Sequence, residues 1–179
     1  MYNYGVHIAP DTVRFKRLLP GSIERMWAFL TESDQRGRWL CSGDAELHVG
    51  GRMEMQFYNS GLSENPDDPP PEKYRDMPER MSFSETVTVC DPPHLFSHTW
   101  DFDGASSEVC YELETQDGKV LLTLIHRGLK TRDEQVSVCG GWHTHLDILK
   151  DVLSNCEPRA FWKRHTGLEA EYENLLPGP

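Results

Sequence analysis

Four residues capable of acid–base chemistry interrupt otherwise apolar strand faces: Glu85, His98, Tyr111 and His126. Strand alternation places each of them on the same side as large apolar neighbours. A carboxylate removed from water is costly unless it is paired, so an inward Glu85 needs a His or Tyr partner, a polar ligand or access to solvent. Glu85 paired with His98 or His126 could act as a general base. These three residues are the candidate catalytic residues.

A purely structural role competes with catalysis at these positions. A β-bulge or a shifted register would turn Glu85 to the outside of the sheet, and the histidines could satisfy one another. The sequence shows no further catalytic group that would define a reaction for these candidates, so no catalytic residue is assigned. We favour the structural interpretation and keep an enzyme as the alternative.

The segment from Cys139 to His145 could suggest a metal site, because Cys139 and His143 are four residues apart on a predicted helix. His145 lies about 200° around the helix from His143 and cannot join them on one face. A solvent-facing pair of histidines is the favoured interpretation. We therefore predict no metal and no other cofactor, and the chain has no nucleophile-elbow or phosphate-loop motif.

Hydrophobic periodicity predicts the elements that position these residues. The predicted strands are 12–18, 45–49, 52–58, 81–89, 95–102, 107–115 and 120–127. Two short helices follow the first strand, Ser22 being the N-cap of the first, and a long amphipathic helix covers 133–156. Gly50-Gly51 predicts a tight hairpin, and Pro-rich residues 59–80 predict a long surface loop. This order predicts an α+β fold, with a curved antiparallel β-sheet wrapped around the long C-terminal α-helix.

Composition and charge restrict the partners. The 179 residues include 18 Lys+Arg and 29 Asp+Glu, for a net charge of -11, which repels nucleic acid and anionic membrane surfaces. Neither an export signal nor an apolar run long enough to span a bilayer is apparent. The five scattered cysteines indicate reduced thiols, and we expect a cytoplasmic protein without nucleic-acid or membrane partners.

Several motifs resemble the activator of Hsp90 ATPase homologue 1-like family, within the START-like (Bet v 1-like, SRPBCC) superfamily. The most specific is the segment from Asp91 to Trp100, DPPHLFSHTW, which is similar to the family's D-P-P-x-x-L-x-x-T-W pattern. The others are Arg38-Trp39, Val49-Gly50-Gly51-Arg52-Met53, Leu122-Thr123-Leu124-Ile125-His126 and Gly140-Gly141-Trp142. The resemblance implies a helix-grip domain over residues 8–156, with 59–80 as an inserted loop and 157–179 as a C-terminal extension.

Such a domain is expected to enclose an apolar or aromatic small molecule between its sheet and its C-terminal helix. The predicted ligand-binding residues are Met53, Met55, Phe57, Phe83, Glu85, His98, Trp100, Tyr111, Leu122, His126, Trp142 and Leu146. The alternation of side chains along a strand also predicts that Val89 and Phe102 face inward. A solidly packed interior stays open as an alternative.

A third hypothesis is a co-chaperone or regulatory protein that binds a partner through loop 59–80 or the C-terminal tail. No segment corresponds to the separate domain with which the eukaryotic co-chaperone engages Hsp90, so the family name is not taken as an activity. The tail, with Phe161 and Trp162 as docking residues, could pack on its own domain or on a second copy, which leaves a homodimer open.

Overall fold

One curved antiparallel sheet forms the framework of the protein. The structure is a computed structural model that describes residues 4–101 and 106–176. Its sheet order is β1-β2-β7-β6-β5-β4-β3. The strands are β1 (Val6–Ala9), β2 (Thr12–Pro20), β3 (Arg52–Phe57), β4 (Met81–Asp91), β5 (Leu95–Trp100), β6 (Ser107–Gln116) and β7 (Lys119–Arg127). The helices are α1 (Ile23–Thr31), α2 (Ser33–Arg36), α3 (Arg132–Leu153) and α4 (Phe161–Leu175).

The long helix α3 packs on the sheet, which confirms the predicted helix-grip fold. Thr131 and Glu134 form a capping box that fixes where α3 begins. The indole rings of Trp100 on β5 and Trp142 on α3 are 5.1 Å apart between centroids. The helix therefore faces the side of the sheet that alternation predicts to be apolar.

The short helices α1 and α2 close one end of the sheet. Ser22 is the N-cap of α1, as predicted, and its hydroxyl accepts the N–H of Arg25 at 3.3 Å. The buried Arg36 guanidinium donates to the carbonyls of Thr31, Cys41 and Glu54, and so ties the segment after α2 to β3. The structure contains a strand, β1, that the sequence did not predict. The two helices therefore follow the second strand of the chain and not the first.

Three local predictions differ from the structure. Residues 45–49 form no regular strand: single bridges join Ser42 to Gln56 and Ala45 to Met53. A bulge lies between Val87 and Val89, where Val87 pairs with His98 but Val89 pairs with Ser97. Paired residues share a face, so the bulge turns Val89 outward and that prediction is wrong. The predicted strand 95–102 ends at Trp100, and Phe102 lies outside the described residues.

The C-terminal segment folds back on the domain as helix α4, which packs along α3. Phe161 and Trp162, the predicted docking residues, are both buried. Tyr172 accepts the backbone N–H of Gly5 at 2.8 Å and so joins α4 to the N-terminal segment. Among the described residues, none of the helices is both long and apolar enough to cross a membrane.

Loop 59–80 is fastened to α4 and contains two single 3₁₀ turns, Asn59–Gly61 and Glu72–Tyr74. The carboxylate of Asp67 accepts the backbone N–H groups of Trp162 and Lys163 at 3.0 and 2.9 Å. Ala160, the N-cap residue of α4, has no side chain that could do so. The loop therefore caps the helix from a distance of almost a hundred residues along the chain.

Candidate functional site

A cavity of about 160 Å³ lies where the sheet, the long helix, α4 and loop 59–80 meet. We call it the aromatic cavity. It is lined by Phe57, Asn59, Tyr74, Met77, Met81, Phe83, Trp100, His126, Ser137, Val138, Gly141, Trp142, His145, Phe161, Trp162 and His165. None of these residues carries a formal charge as Asp, Glu, Lys or Arg.

The sheet and α3 contribute the deep wall of the cavity. The ring centroid of Phe57 lies 5.9 Å from those of both Phe83 and Trp100. The Trp100 ring in turn contacts the ring of Trp142. These edge-to-face and tilted geometries are those that aromatic rings prefer. Their faces and edges offer contacts to a further flat ring.

Helix α4 and loop 59–80 contribute the outer wall. Trp162 and Tyr74 lie 5.6 Å apart, and Tyr74 also meets the edge of His165 at 5.4 Å. The Tyr74 hydroxyl bonds to Ser137 on α3 and donates to Glu169 on α4. Because Glu169 also pairs with Lys73 at 2.8 Å, the Glu72–Tyr74 turn is held over the cavity.

His126 lies at the base of the cavity with both ring nitrogens engaged. The Trp142 indole N–H donates to its Nδ1 at 3.0 Å, so Nδ1 carries no hydrogen. The neutral ring then carries its hydrogen on Nε2, which donates to the Ser107 hydroxyl at 2.9 Å, and that hydroxyl donates to the Trp100 carbonyl at 2.7 Å. Burial lowers the pKa of His126 to about 3, so the ring stays neutral.

The other two histidines of the wall retain unpaired nitrogens. His145 Nδ1 lies 2.7 Å from the Trp39 carbonyl, which only accepts, so the hydrogen is on Nδ1 and Nε2 is an acceptor. His165 is buried, and its Nδ1 has no hydrogen-bond partner among the described residues. Burial lowers the pKa of His145 to about 4 and also lowers the pKa of His165. Both rings are therefore neutral near pH 7.

Of the predicted ligand-binding residues, five line the aromatic cavity: Phe57, Phe83, Trp100, His126 and Trp142. The other seven are buried in the packed interior and do not reach its wall: Met53, Met55, Glu85, His98, Tyr111, Leu122 and Leu146. The interior between sheet and helix is thus filled over most of its length. The space that is left lies at the end near α4.

Glu85 is buried, and β4 places it in register with Met53 on β3. Its carboxylate accepts the Thr99 hydroxyl and, at 2.9 Å, the backbone N–H of Asp101. Among the described residues neither oxygen bonds a histidine. The structure therefore gives Glu85 protein partners of a kind that the sequence did not suggest.

His98 and Tyr111 pair with each other inside the core. His98 donates from Nδ1 to the Thr99 carbonyl at 2.7 Å, and its Nε2 accepts the Tyr111 hydroxyl at 3.4 Å. Burial lowers the pKa of His98 to about 4. The structure thus does not bring Glu85, His98 and His126 together as a hydrogen-bonded set.

The prediction that His143 and His145 face solvent is wrong, because α4 and the segment around Trp39 cover this part of α3. Both rings are buried, and His143 Nδ1 lies 3.0 Å from the Tyr172 hydroxyl of α4. Cys139 is also buried, and burial raises the pKa of its thiol to about 12.

Two further clefts flank the aromatic cavity. One, of about 370 Å³, shares Trp100, His126, Ser137 and Val138 with it, and has Lys73, Asp133 and Glu134 on its rim. The other, of about 270 Å³, shares Phe57, Tyr74 and Trp162 among other residues and runs below loop 59–80. Substituents of a bound ring would thus find space on either side.

Several wall residues were missed by sequence reasoning, chiefly Tyr74, Met77, Phe161, Trp162 and His165. They lie on a loop and on a weakly patterned helix, where no periodicity indicates which side chains turn inward. One signal was present: Gly141 lies in the interior of α3, where glycine is unfavourable. A Cβ built on Gly141 would have no atom within 4 Å, because it would enter the cavity.

A curved antiparallel sheet that holds a long helix across one face defines the helix-grip class of proteins. Within that class, residues 20–154 match the family model described as activator of Hsp90 ATPase homolog 1-like protein. The chain belongs to this family.

Solved structures support the same assignment. The solution structure of the protein encoded by gene BPP1335 from Bordetella parapertussis is 34% identical, with a TM-score of 0.80, over 98% of this chain and 92% of that one. CalU16 from Micromonospora echinospora is 18% identical with a TM-score of 0.66, over 92% of this chain and 87% of that one, which shows the fold alone.

DynU16, a putative protein in the dynemicin biosynthetic locus, is 17% identical with a TM-score of 0.65. The match covers 84% of this chain and 49% of that one, and it too shows the fold alone. No functionally curated protein matches the chain.

Proposed function

We propose that this protein binds a small, uncharged aromatic molecule in the aromatic cavity. One observation carries the proposal: the cavity is walled by rings from the sheet, α3, α4 and loop 59–80, among them Phe57, Trp100, Trp142 and Phe161, and none of the described residues that line it is Asp, Glu, Lys or Arg. Burial of an aromatic ring against such a wall is favourable, whereas a charged ligand would lose its hydration without an opposite charge.

The size of the cavity limits the ligand to one ring or two fused rings. An apolar cavity of about 150 Å³ is large enough to hold benzene. The aromatic cavity has about 160 Å³ and continues into clefts that share its walls. A larger ring system would have to extend out of the aromatic cavity into these clefts.

Gly141 supports the same proposal. Glycine in a helix interior costs about 1 kcal/mol relative to alanine. At Gly141 no neighbouring atom requires the missing side chain, since the space beside it is the cavity itself. A residue that leaves the cavity open at the expense of helix stability fits a site that must accommodate a ligand.

Binding is better supported than proton transfer. Both nitrogens of His126 are occupied by Trp142 and Ser107, and Glu85 does not reach the cavity wall. A general base needs a free lone pair within reach of its substrate. Among the proteins of the same fold, DynU16 comes from a biosynthetic locus, which is consistent with a small-molecule role.

A cavity-filling variant tests the proposal with naphthalene as the probe. Gly141→Leu should fill the cavity and lower naphthalene affinity at least about tenfold, since the probe would lose its contacts with Trp100 and Trp142. Gly167→Leu is the matched control, because Gly167 also lies in a helix, is exposed and has no atom within 4 Å of its Cβ position. NMR titration of the indole N–H signals measures both affinities. Equal binding by wild type and Gly141→Leu, or no binding by wild type, would overturn the proposal.

A further inference from the structure

Two histidines give the aromatic cavity a polar corner. His145 on α3 and His165 on α4 both contact Phe161, with ring centroids 4.9 and 5.4 Å from it. They therefore lie on the same wall, around one phenyl ring. The remaining histidine of the cavity, His126, has both nitrogens engaged and contributes no free polar atom.

His145 offers an acceptor whose identity is fixed by the backbone. Its Nδ1–H is used by the Trp39 carbonyl, so the lone pair is on Nε2. Nε2 has no hydrogen-bond partner among the described residues. A group that meets this atom must donate a hydrogen.

His165 is buried in the same wall and makes no hydrogen bond within the described part of the chain; its Nδ1 is fully enclosed, so Nε2 is the nitrogen that a ligand could reach. Its ring is stacked on Phe161 and set edge-on to Tyr74. A neutral imidazole has one N–H and one lone pair, and burial without partners is unfavourable for both. Phenylalanine would keep these ring contacts, so the imidazole suits a polar partner that the described residues do not supply.

A hydroxyl group is the simplest partner for this pair, since it donates and accepts at the same time. It is also uncharged, which suits a cavity whose described lining residues carry no formal charge. The surrounding rings then select an aromatic carrier for the hydroxyl.

We infer that the aromatic cavity recognises a phenol of one or two fused rings, whose hydroxyl donates to His145 Nε2 and accepts from the Nε2–H of His165. This inference rests on the proposed function, which requires only that an uncharged aromatic ring binds. The two histidines add selectivity for the hydroxyl over a plain hydrocarbon.

The test compares 2-naphthol with naphthalene, which differ only in the hydroxyl. The wild-type protein should bind 2-naphthol about tenfold more tightly or better, as expected for the two new buried hydrogen bonds of its hydroxyl. NMR titration gives both dissociation constants under one set of conditions. The ratio of the two constants is the readout, so a general loss of cavity shape cannot imitate the effect.

Two variants locate the effect. His165→Phe keeps the ring contacts and has no protein hydrogen bond to lose, and His145→Asn keeps a donor for the Trp39 carbonyl but lacks Nε2. Each should reduce the preference for 2-naphthol to within about twofold while naphthalene affinity stays the same. Equal binding of the two probes by wild type, or a full preference in both variants, would overturn the inference. Failure of naphthalene to bind wild type would instead contradict the proposed function.

Discussion

The carboxylate of Asp67 accepts the backbone N–H of Trp162 at 3.0 Å, so a loop residue fixes the first turn of α4. That turn carries Phe161 and Trp162 into the cavity wall, and His165 follows on the next turn. The Pro-rich loop is therefore part of the site, since it determines where the outer wall lies.

Asp67→Ala should lower the free energy of unfolding by about 1–2 kcal/mol, because two N–H groups at the start of α4 lose their acceptor. Urea denaturation measures the change. Asp68→Ala is the matched control, with the same loss of charge at an exposed neighbouring position. If both variants lose the same stability, Asp67 does not act as the cap.

The histidine tautomers provide a second prediction. His126 should carry its hydrogen on Nε2, because the Trp142 N–H occupies Nδ1, whereas His98 and His145 should carry theirs on Nδ1. Long-range ¹H–¹⁵N NMR spectra of the rings distinguish the two forms. A hydrogen on Nδ1 of His126 would contradict the Trp142 bond and the assignment of this ring as fully engaged.

Stability should decrease as the pH falls from 6.5 towards 4. Burial holds the pKa of His98, His143 and His145 at about 4 and that of His126 at about 3 in the folded protein. The unfolded chain has histidine pKa values near 6.5, so unfolding takes up protons in this window.

Each histidine contributes up to about 1.4 kcal/mol per pH unit to this slope. Urea denaturation at pH 7.0, 6.0 and 5.5 measures how the free energy of unfolding depends on pH. His98→Asn should reduce this slope by the contribution of one histidine. A free energy of unfolding that stays constant across these pH values would contradict the buried neutral state of these rings.

Glu85 should support the fold and not the ligand. Glu85→Gln should lower the free energy of unfolding by about 1–2 kcal/mol, because the charge-assisted bonds from Thr99 and Asp101 are weakened. Naphthalene affinity should stay within about twofold of wild type, since Glu85 does not reach the cavity wall. A loss of binding at unchanged stability would restore Glu85 as a site residue.

Regular periodicity accounts for what could be predicted from the sequence. Trp100 and Trp142 were both expected to turn towards the space between the sheet and the long helix, because alternation along a strand and a 3.6-residue period along a helix each define one apolar face. Alternation gives the wrong orientation for Val89. A single bulge after Val87 turns the Val89 side chain to the opposite face of the sheet, and the residues around Thr88 contain no signal that predicts this bulge.

The extent of the cavity could not be predicted in the same way. Met53, Leu122 and Leu146 were expected to line it but fill the core instead, since orientation towards the interior does not reveal how much space the side chains occupy. His165 and Tyr74 were missed because their positions depend on contacts between a loop and a distant helix. Such contacts leave no period in the sequence.

Mass spectrometry of small molecules released from the natively purified protein tests ligand binding most directly, with wild type and Gly141→Leu prepared side by side from the protein's own host. The structure predicts that wild type releases one uncharged aromatic compound of one or two rings, and that Gly141→Leu releases little or none of it. Recovery of the same compound in equal amounts from both proteins, or of a charged or much larger molecule, would contradict the account.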